Sequence, residues 1–140
     1  MDLSIIDKTI FDYLRSTLDT AGYTAVPVFN EEEIQGASVP FVRFSYMGLT
    51  MTNSSQTSEG GLQNNYRALM ALNTIGKLEG NGRQQVQAIA GILRTAFNIK
   101  RKPNNDKIQS DITIDIFKRK IEASQTYEAS FQVNLVIEYP

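Results

Sequence analysis

The sequence predicts an α+β domain: two helices packed on one face of a mainly antiparallel sheet, in the order α-β-β-β-α-β-β. Two helical stripes and one long alternating run carry that expectation. Ile6, Ile10, Leu14 and Leu18 recur every four residues, and Val86, Ile89, Ala90, Leu93 and Phe97 make a second stripe. Each segment therefore has one apolar face if it is helical. Near the end of the chain, Ala129, Phe131, Val133, Leu135, Ile137 and Tyr139 alternate with polar residues, and only Val136 is out of step. That is the period of a strand with one face buried. Helices and sheet each need an apolar partner, and they supply it to one another.

The elements follow in order. A helix is expected over residues 4–21, with Ser4 as N-cap, Asp7 three residues on and Gly22 as the stop. Residues 23–29 read as a short extended segment that Pro27 confines to an edge or to irregular pairing. After NEEEIQGASVP, residues 41–51 form a strand with Val42, Phe44 and Tyr46 on one face and Arg43 and Ser45 on the other. Residues 52–65 hold one apolar residue in fourteen and are expected to be a long loop. A strand over 66–78 alternates Tyr66, Ala68, Met70 and Leu72. Gly80-Asn81-Gly82 breaks it, with Asn81 a cap for a helix over about 83–97. KRKPNNDK turns the chain, and strands over 112–123 and 127–139 complete a single domain spanning 1–140.

Composition narrows the function. The chain has no cysteine, no histidine and no tryptophan. Disulfides, Ser–His or Cys–His nucleophile pairs and the usual zinc ligand sets are thereby excluded. No enzyme and no cofactor is expected. No apolar run reaches the ~20 residues that span a bilayer, and MDLSIIDKTI has no cleavable signal pattern, so no membrane role is expected. Net charge is −1, yet residues 1–70 carry 8 acids and 4 bases and residues 71–140 carry 7 acids and 10 bases. Such a dipolar chain suits stacking on itself or on charged neighbours.

The short motifs divide into bland and informative ones. Gly80-x-Gly82 fails as a dinucleotide fingerprint because Gln85 stands at the third glycine, and Gly76-Lys77 fails as a P-loop because Leu78 follows. Glu31-Glu32-Glu33 reads as a solvated acidic run ahead of a cation site, and no metal is expected. Asn53-Ser54-Ser55 matches a glycosylation sequon without a secretory context. More informative are Lys100-Arg101-Lys102 and Lys118-Arg119-Lys120, six of the fourteen bases in two identical tripeptides. A patch that meets phosphates or an acidic protein is weighed against two merely solvated stretches. In a strand, alternation sends Lys118 and Lys120 to one face and Arg119 to the other, so the second triplet is not one patch.

"YTAVPVFNEEE…VPFVRFSYM", "GNGRQQVQAIAGILRTAF" and "FQVNLVIEYP" together outline a family. The chain resembles the tail terminator (tail completion) proteins of long-tailed bacteriophages. Val28-Phe29-Asn30 and Pro40-Phe41-Val42-Arg43 match that outline, as does the Gly80-Asn81-Gly82 turn before the second helix. The resemblance covers nearly the whole chain and rests on element order and short motifs. It implies a virion protein at the head-proximal end of the tail, assembled in the host cytoplasm. Its copies would form a ring, typically a hexamer, on the last tail tube ring. The ring would end tube polymerisation and offer a surface to a head–tail connector or neck protein, while DNA passes through the lumen without sequence-specific binding.

The expected assembly residues are Lys100, Arg101, Lys102, Lys118 and Lys120, with Thr52, Asn53, Ser54, Ser55, Gln56, Thr57, Ser58 and Glu59 of the polar stretch. A connector or tail tube protein of related architecture is the alternative. A nucleic-acid-binding module is disfavoured by the sequence pI of about 5.4, and a carboxylate-based hydrolase ranks last.

Overall fold

The computed structural model describes residues 3–30, 39–56, 62–98 and 108–139. The chain runs α1 (Leu3–Thr20), β1 (Val28–Phe29), β2 (Phe41–Gln56), β3 (Leu62–Lys77), α2 (Gly82–Phe97), β4 (Ile108–Ile121) and β5 (Thr126–Tyr139). A 3₁₀ turn at Glu122–Ser124 joins the last two strands. The α+β class, the element order and the helix pair over a mainly antiparallel sheet are as the sequence predicts. The five strands are arranged β1-β2-β3-β5-β4, with β1 parallel to β2 and every other pair antiparallel.

This order holds the last strand on both sides. β5 lies inside the sheet, paired with β3 from Lys77↔Thr126 to Asn64↔Tyr139 and with β4 from Ile121↔Thr126 to Ile108↔Ile137. Its backbone hydrogen bonds are satisfied on both sides, which holds a segment that would otherwise fray.

Alternation decides the two faces. Phe44 pairs with Leu72, Leu72 with Phe131, Tyr46 with Met70 and Met70 with Val133. These rows face the helices, whose stripe residues Ile10, Leu14, Leu18, Ile89, Leu93 and Phe97 are fully buried in the same core. Val86 and Ala90 pack with Tyr127 and Ala129 in a smaller cluster toward the turn end of the sheet. The helices also touch each other: the Tyr13 hydroxyl donates to the Ala96 carbonyl at 2.6 Å, and its ring meets Phe97 edge-on at 5.2 Å.

Three expectations are corrected. The extended segment over 23–29 shrinks to Val28–Phe29. Residues 23–26 turn instead, with Val26 N–H donating to Tyr23 O, and the Arg15 guanidinium donates to both the Tyr23 and Val26 carbonyls. The long loop over 52–65 is largely strand: Asn53 pairs with Asn65, Ser54 with Asn64, Ser55 with Gln63 and Gln56 with Leu62. Polar side chains do not prevent a ladder, because the backbone supplies its bonds. On its other side β3 is still held by β5 at Asn64 and Asn65. Asn81 does sit at the N-cap of α2, but no side-chain capping bond forms.

The glycines of the Gly80-Asn81-Gly82 turn have structural work instead of phosphate binding. Gly80 takes a positive φ of 64°. A Cβ on Gly82 would lie 2.1 Å from the Lys77 carbonyl oxygen, so only glycine lets α2 start this close to the end of β3.

Candidate assembly surface

One face of the sheet is covered by helices, and the other carries a row of polar side chains across four strands. Register places Arg43 of β2 opposite Asn73 of β3, Asn73 opposite Ser130 of β5, and Glu128 of β5 opposite Arg119 of β4. With the Asn73 amide oriented by its neighbours, its oxygen accepts from Arg43 Nε at 3.1 Å and its nitrogen donates to Ser130 Oγ at 2.7 Å. Ser130 Oγ in turn donates to Glu128 Oε1 at 2.7 Å, and Arg119 Nη2 lies 3.3 Å from Glu128 Oε2. Glu128 is only 4 % exposed, whereas the Arg119 side chain is 61 % exposed. A buried carboxylate needs such partners, since desolvation without them is costly.

Beside this row the face is apolar at two exposed points of β4, Ile114 (46 %) and Phe117 (48 %). Their partners Gln132 and Ser130 confirm that they share the open face. Register is irregular between Ile112 and Phe117. Asp115, within that irregular stretch, reaches α2: Arg94 Nε and Nη2 donate to its two oxygens at 2.5 and 3.0 Å. The Arg94 hydrogen bonds hold the Asp115 carboxyl below its ordinary pKa, helped by the Ile116 N–H.

Both edges of the sheet are open among the described residues. β1 pairs with β2 only at Val42 and Arg43, leaving the rest of β2 unpaired on that side. Met47, on this free stretch, is 50 % exposed. At the other edge no described residue pairs with the outer side of β4 along its fourteen residues.

The expected assembly residues divide as follows. Lys118 and Lys120 lie opposite Ala129 and Tyr127, on the helix-side register, and Arg119 lies opposite Glu128, as alternation requires. All three are exposed. Thr52, Asn53, Ser54, Ser55 and Gln56 belong to β2. Thr57, Ser58, Glu59, Lys100, Arg101 and Lys102, and the acidic run Glu31-Glu32-Glu33, lie outside the described residues. Arg43, Asn73, Glu128 and Ser130 are not among the assembly residues expected from sequence. Their alternation marks a polar face, but only the pairing of β3 with β5 joins them into one row.

Among the described residues no three or more acids, histidines or cysteines gather as a metal cluster, and no helix is long and apolar enough to cross a membrane.

No protein-family profile matches the chain, and no curated protein matches it. Solved structures do. One, named only by a sequence identifier, is 14% identical with a TM-score of 0.58, covering 96% of each chain. A second is a chain from the virion of a native gene transfer agent particle, 12% identical with a TM-score of 0.45, covering 90% of this chain and 84% of that one. A likeness at 0.45 bears on neither fold nor function here. The first shows that the whole α+β arrangement, helix pair and sheet together, is shared with a known structure.

Proposed function

We propose that the chain is a structural protein of a phage-like virion, without catalytic activity. In this reading its copies close into a ring on the head-proximal end of a tail tube, ending polymerisation and presenting a surface to a connector or neck protein. The open sheet edges carry the proposal. β2 and β5 run one way and β3 and β4 the other, so the outer edge of β4 meets the free edge of a second copy's β2 antiparallel. Joining two different edges is a heterologous contact, which closes as a ring where its rotation returns on itself. It also removes two exposed edges, which proteins otherwise have to protect.

The two ends of the sheet differ, which suits a ring with unlike neighbours above and below. One end carries the polar extensions of β2 and β3, and the other carries the 3₁₀ turn between β4 and β5. The family resemblance of the sequence supports the assignment to a tail. Ring size, the tube contact and the passage of DNA are part of the same proposal.

Electron microscopy of the purified protein, alone and mixed with tail tubes, tests this reading. Rings, and tubes capped at one end, are expected. Phe117→Asp should leave the fold intact, as exposed substitutions usually change stability by under about 0.5 kcal/mol, yet abolish the rings. A two-fold dimer or a monomer that never caps a tube would contradict the proposal.

A further inference from the structure

We infer that the joint between copies is selected by charge: Lys118 and Lys120 on the β4 edge of one copy receive the acidic run Glu31-Glu32-Glu33 of the next. The inference rests on the edge joining proposed above and names the residues that choose the partner edge. Strand order turns the uneven charge of the sequence into an edge-to-edge difference. Residues 1–70, with 8 acids and 4 bases, supply β1 and β2, and residues 71–140, with 7 acids and 10 bases, supply β5 and β4. The order β1-β2-β3-β5-β4 sets the first pair at one edge and the second at the other.

Register fixes the height of the two charged stretches. One row crosses all five strands through Val28, Val42, Thr74, Ala129 and Lys118. Lys120 lies two residues nearer the turn end, opposite Tyr127. At the other edge, the chain that carries the three glutamates leaves at Asn30, two residues after Val28, and returns at Val39, three residues before Val42. Rows continued across the joint therefore bring the two lysines between the attachment points of the next copy's acidic run. Both lysines are exposed, and neither has an ion pair among the described residues. Neighbouring charges are occupied elsewhere: Arg94 holds Asp115, Arg119 holds Glu128 on the opposite face, and Arg83 lies over the Tyr127 ring at 5.7 Å. Glu122, two residues beyond Lys120, makes no ion pair with either lysine among the described residues. On the receiving copy, Asp12 and Asp19 are already paired with Lys8 and Arg15 along α1, which leaves the glutamate run to answer the lysines. A phosphodiester would answer the lysines but not the acidic edge. A second copy answers both, and its charge complementarity favours β4 against β2 over either edge against itself.

The test is charge reversal and its rescue in the full chain, followed by sedimentation and electron microscopy, with circular dichroism to confirm folding. Lys118→Glu with Lys120→Glu should raise the concentration needed for half-assembly about tenfold, and so should Glu31→Lys with Glu32→Lys and Glu33→Lys. All five substitutions together restore opposite charges at every joint, and assembly should return to within about threefold of wild type. Assembly of the wild type should also weaken as salt rises from about 0.05 to about 0.5 M, because exposed charges are screened. Where a reversed variant is poorly folded, the same positions changed to Gln should still weaken assembly severalfold in a folded protein. Rings that form equally well in wild type and in both partial variants would overturn this inference and leave the edge joining standing. A five-fold variant no better than either partial one would overturn it too. A wild type that forms no ring at any concentration would remove the edge joining and this inference with it.

Discussion

Tyr46 shows how a single group can tie stability to pH. It faces the helices beside Phe44, whose ring it meets edge-on at 6.1 Å. Its hydroxyl and Asp7 Oδ1 are both buried without a hydrogen-bond partner among the described residues. Burial raises the Tyr46 pKa well above its ordinary value, and the nearby Asp7 carboxylate adds to the effect. The fold therefore favours the neutral phenol. Its contribution is fully present below the unfolded pKa, about 10, and is lost as pH rises through the folded value. Because the hydroxyl has no hydrogen-bond partner among the described residues, Tyr46→Phe should be neutral or stabilising near neutral pH. Chemical denaturation across the alkaline range should show wild type falling increasingly behind the variant above about pH 10. Parallel losses in the two proteins would mean that Tyr46 is not the titrating group.

Legibility at the residue scale follows burial. Ile10, Leu14, Leu18, Leu93 and Phe131 were readable because periodicity alone reports which side of an element is dry. The polar row was not, because its members come from residues 43, 73, 119, 128 and 130 and meet only through long-range pairing. Arg15 was missed for a related reason: its function lies in two backbone carbonyls, Tyr23 and Val26, which no side-chain pattern encodes.

Among the elements, the helices follow the sequence to within a residue or two, since stripe and stop signals are local. The strand limits depart further. Residues 52–56 and 62–65 have no hydrophobic alternation, so their strand character comes entirely from pairing with neighbours already in place. Where burial is described, over 41–48 of β2 and 67–77 of β3, the buried core residues lie within 41–46 and 68–75. Replacing residues 53–65 by a two-residue Asn-Gly turn should therefore leave a cooperatively folded subunit, by circular dichroism and thermal melting. The same variant should assemble poorly by sedimentation, if the extension meets a neighbour. A shortened protein that fails to fold would place the extension in the folding core instead. The start of α2 is the opposite case, a position with no slack. Gly82→Ala forces a Cβ into the Lys77 backbone. Overpacking of this kind costs about 1–3 kcal/mol, a fall in Tm of roughly 3–10 °C by calorimetry. An unchanged Tm would mean that α2 can shift freely on the sheet.

Among the described residues, one helix layer covers one sheet face, while the outer side of β4 and most of the outer side of β2 have no strand partner. That distribution is what a subunit of a larger assembly needs, and it was only partly readable beforehand. The absence of histidine and cysteine turned expectation away from catalysis, and the uneven charge pointed toward stacking. Neither could reveal that β4 and the stretch of β2 beyond Arg43 would lie at the edges, because sequence order does not give strand order. The central claim is that these edges join copies of the chain. Amide hydrogen exchange, compared between isolated subunit and assembled ring, tests it most directly. The account predicts new protection together in β4 and in the free stretch of β2 beyond Arg43, with little change in α1 and α2. Rings whose β4 and β2 amides exchange as fast as in the isolated subunit would contradict it.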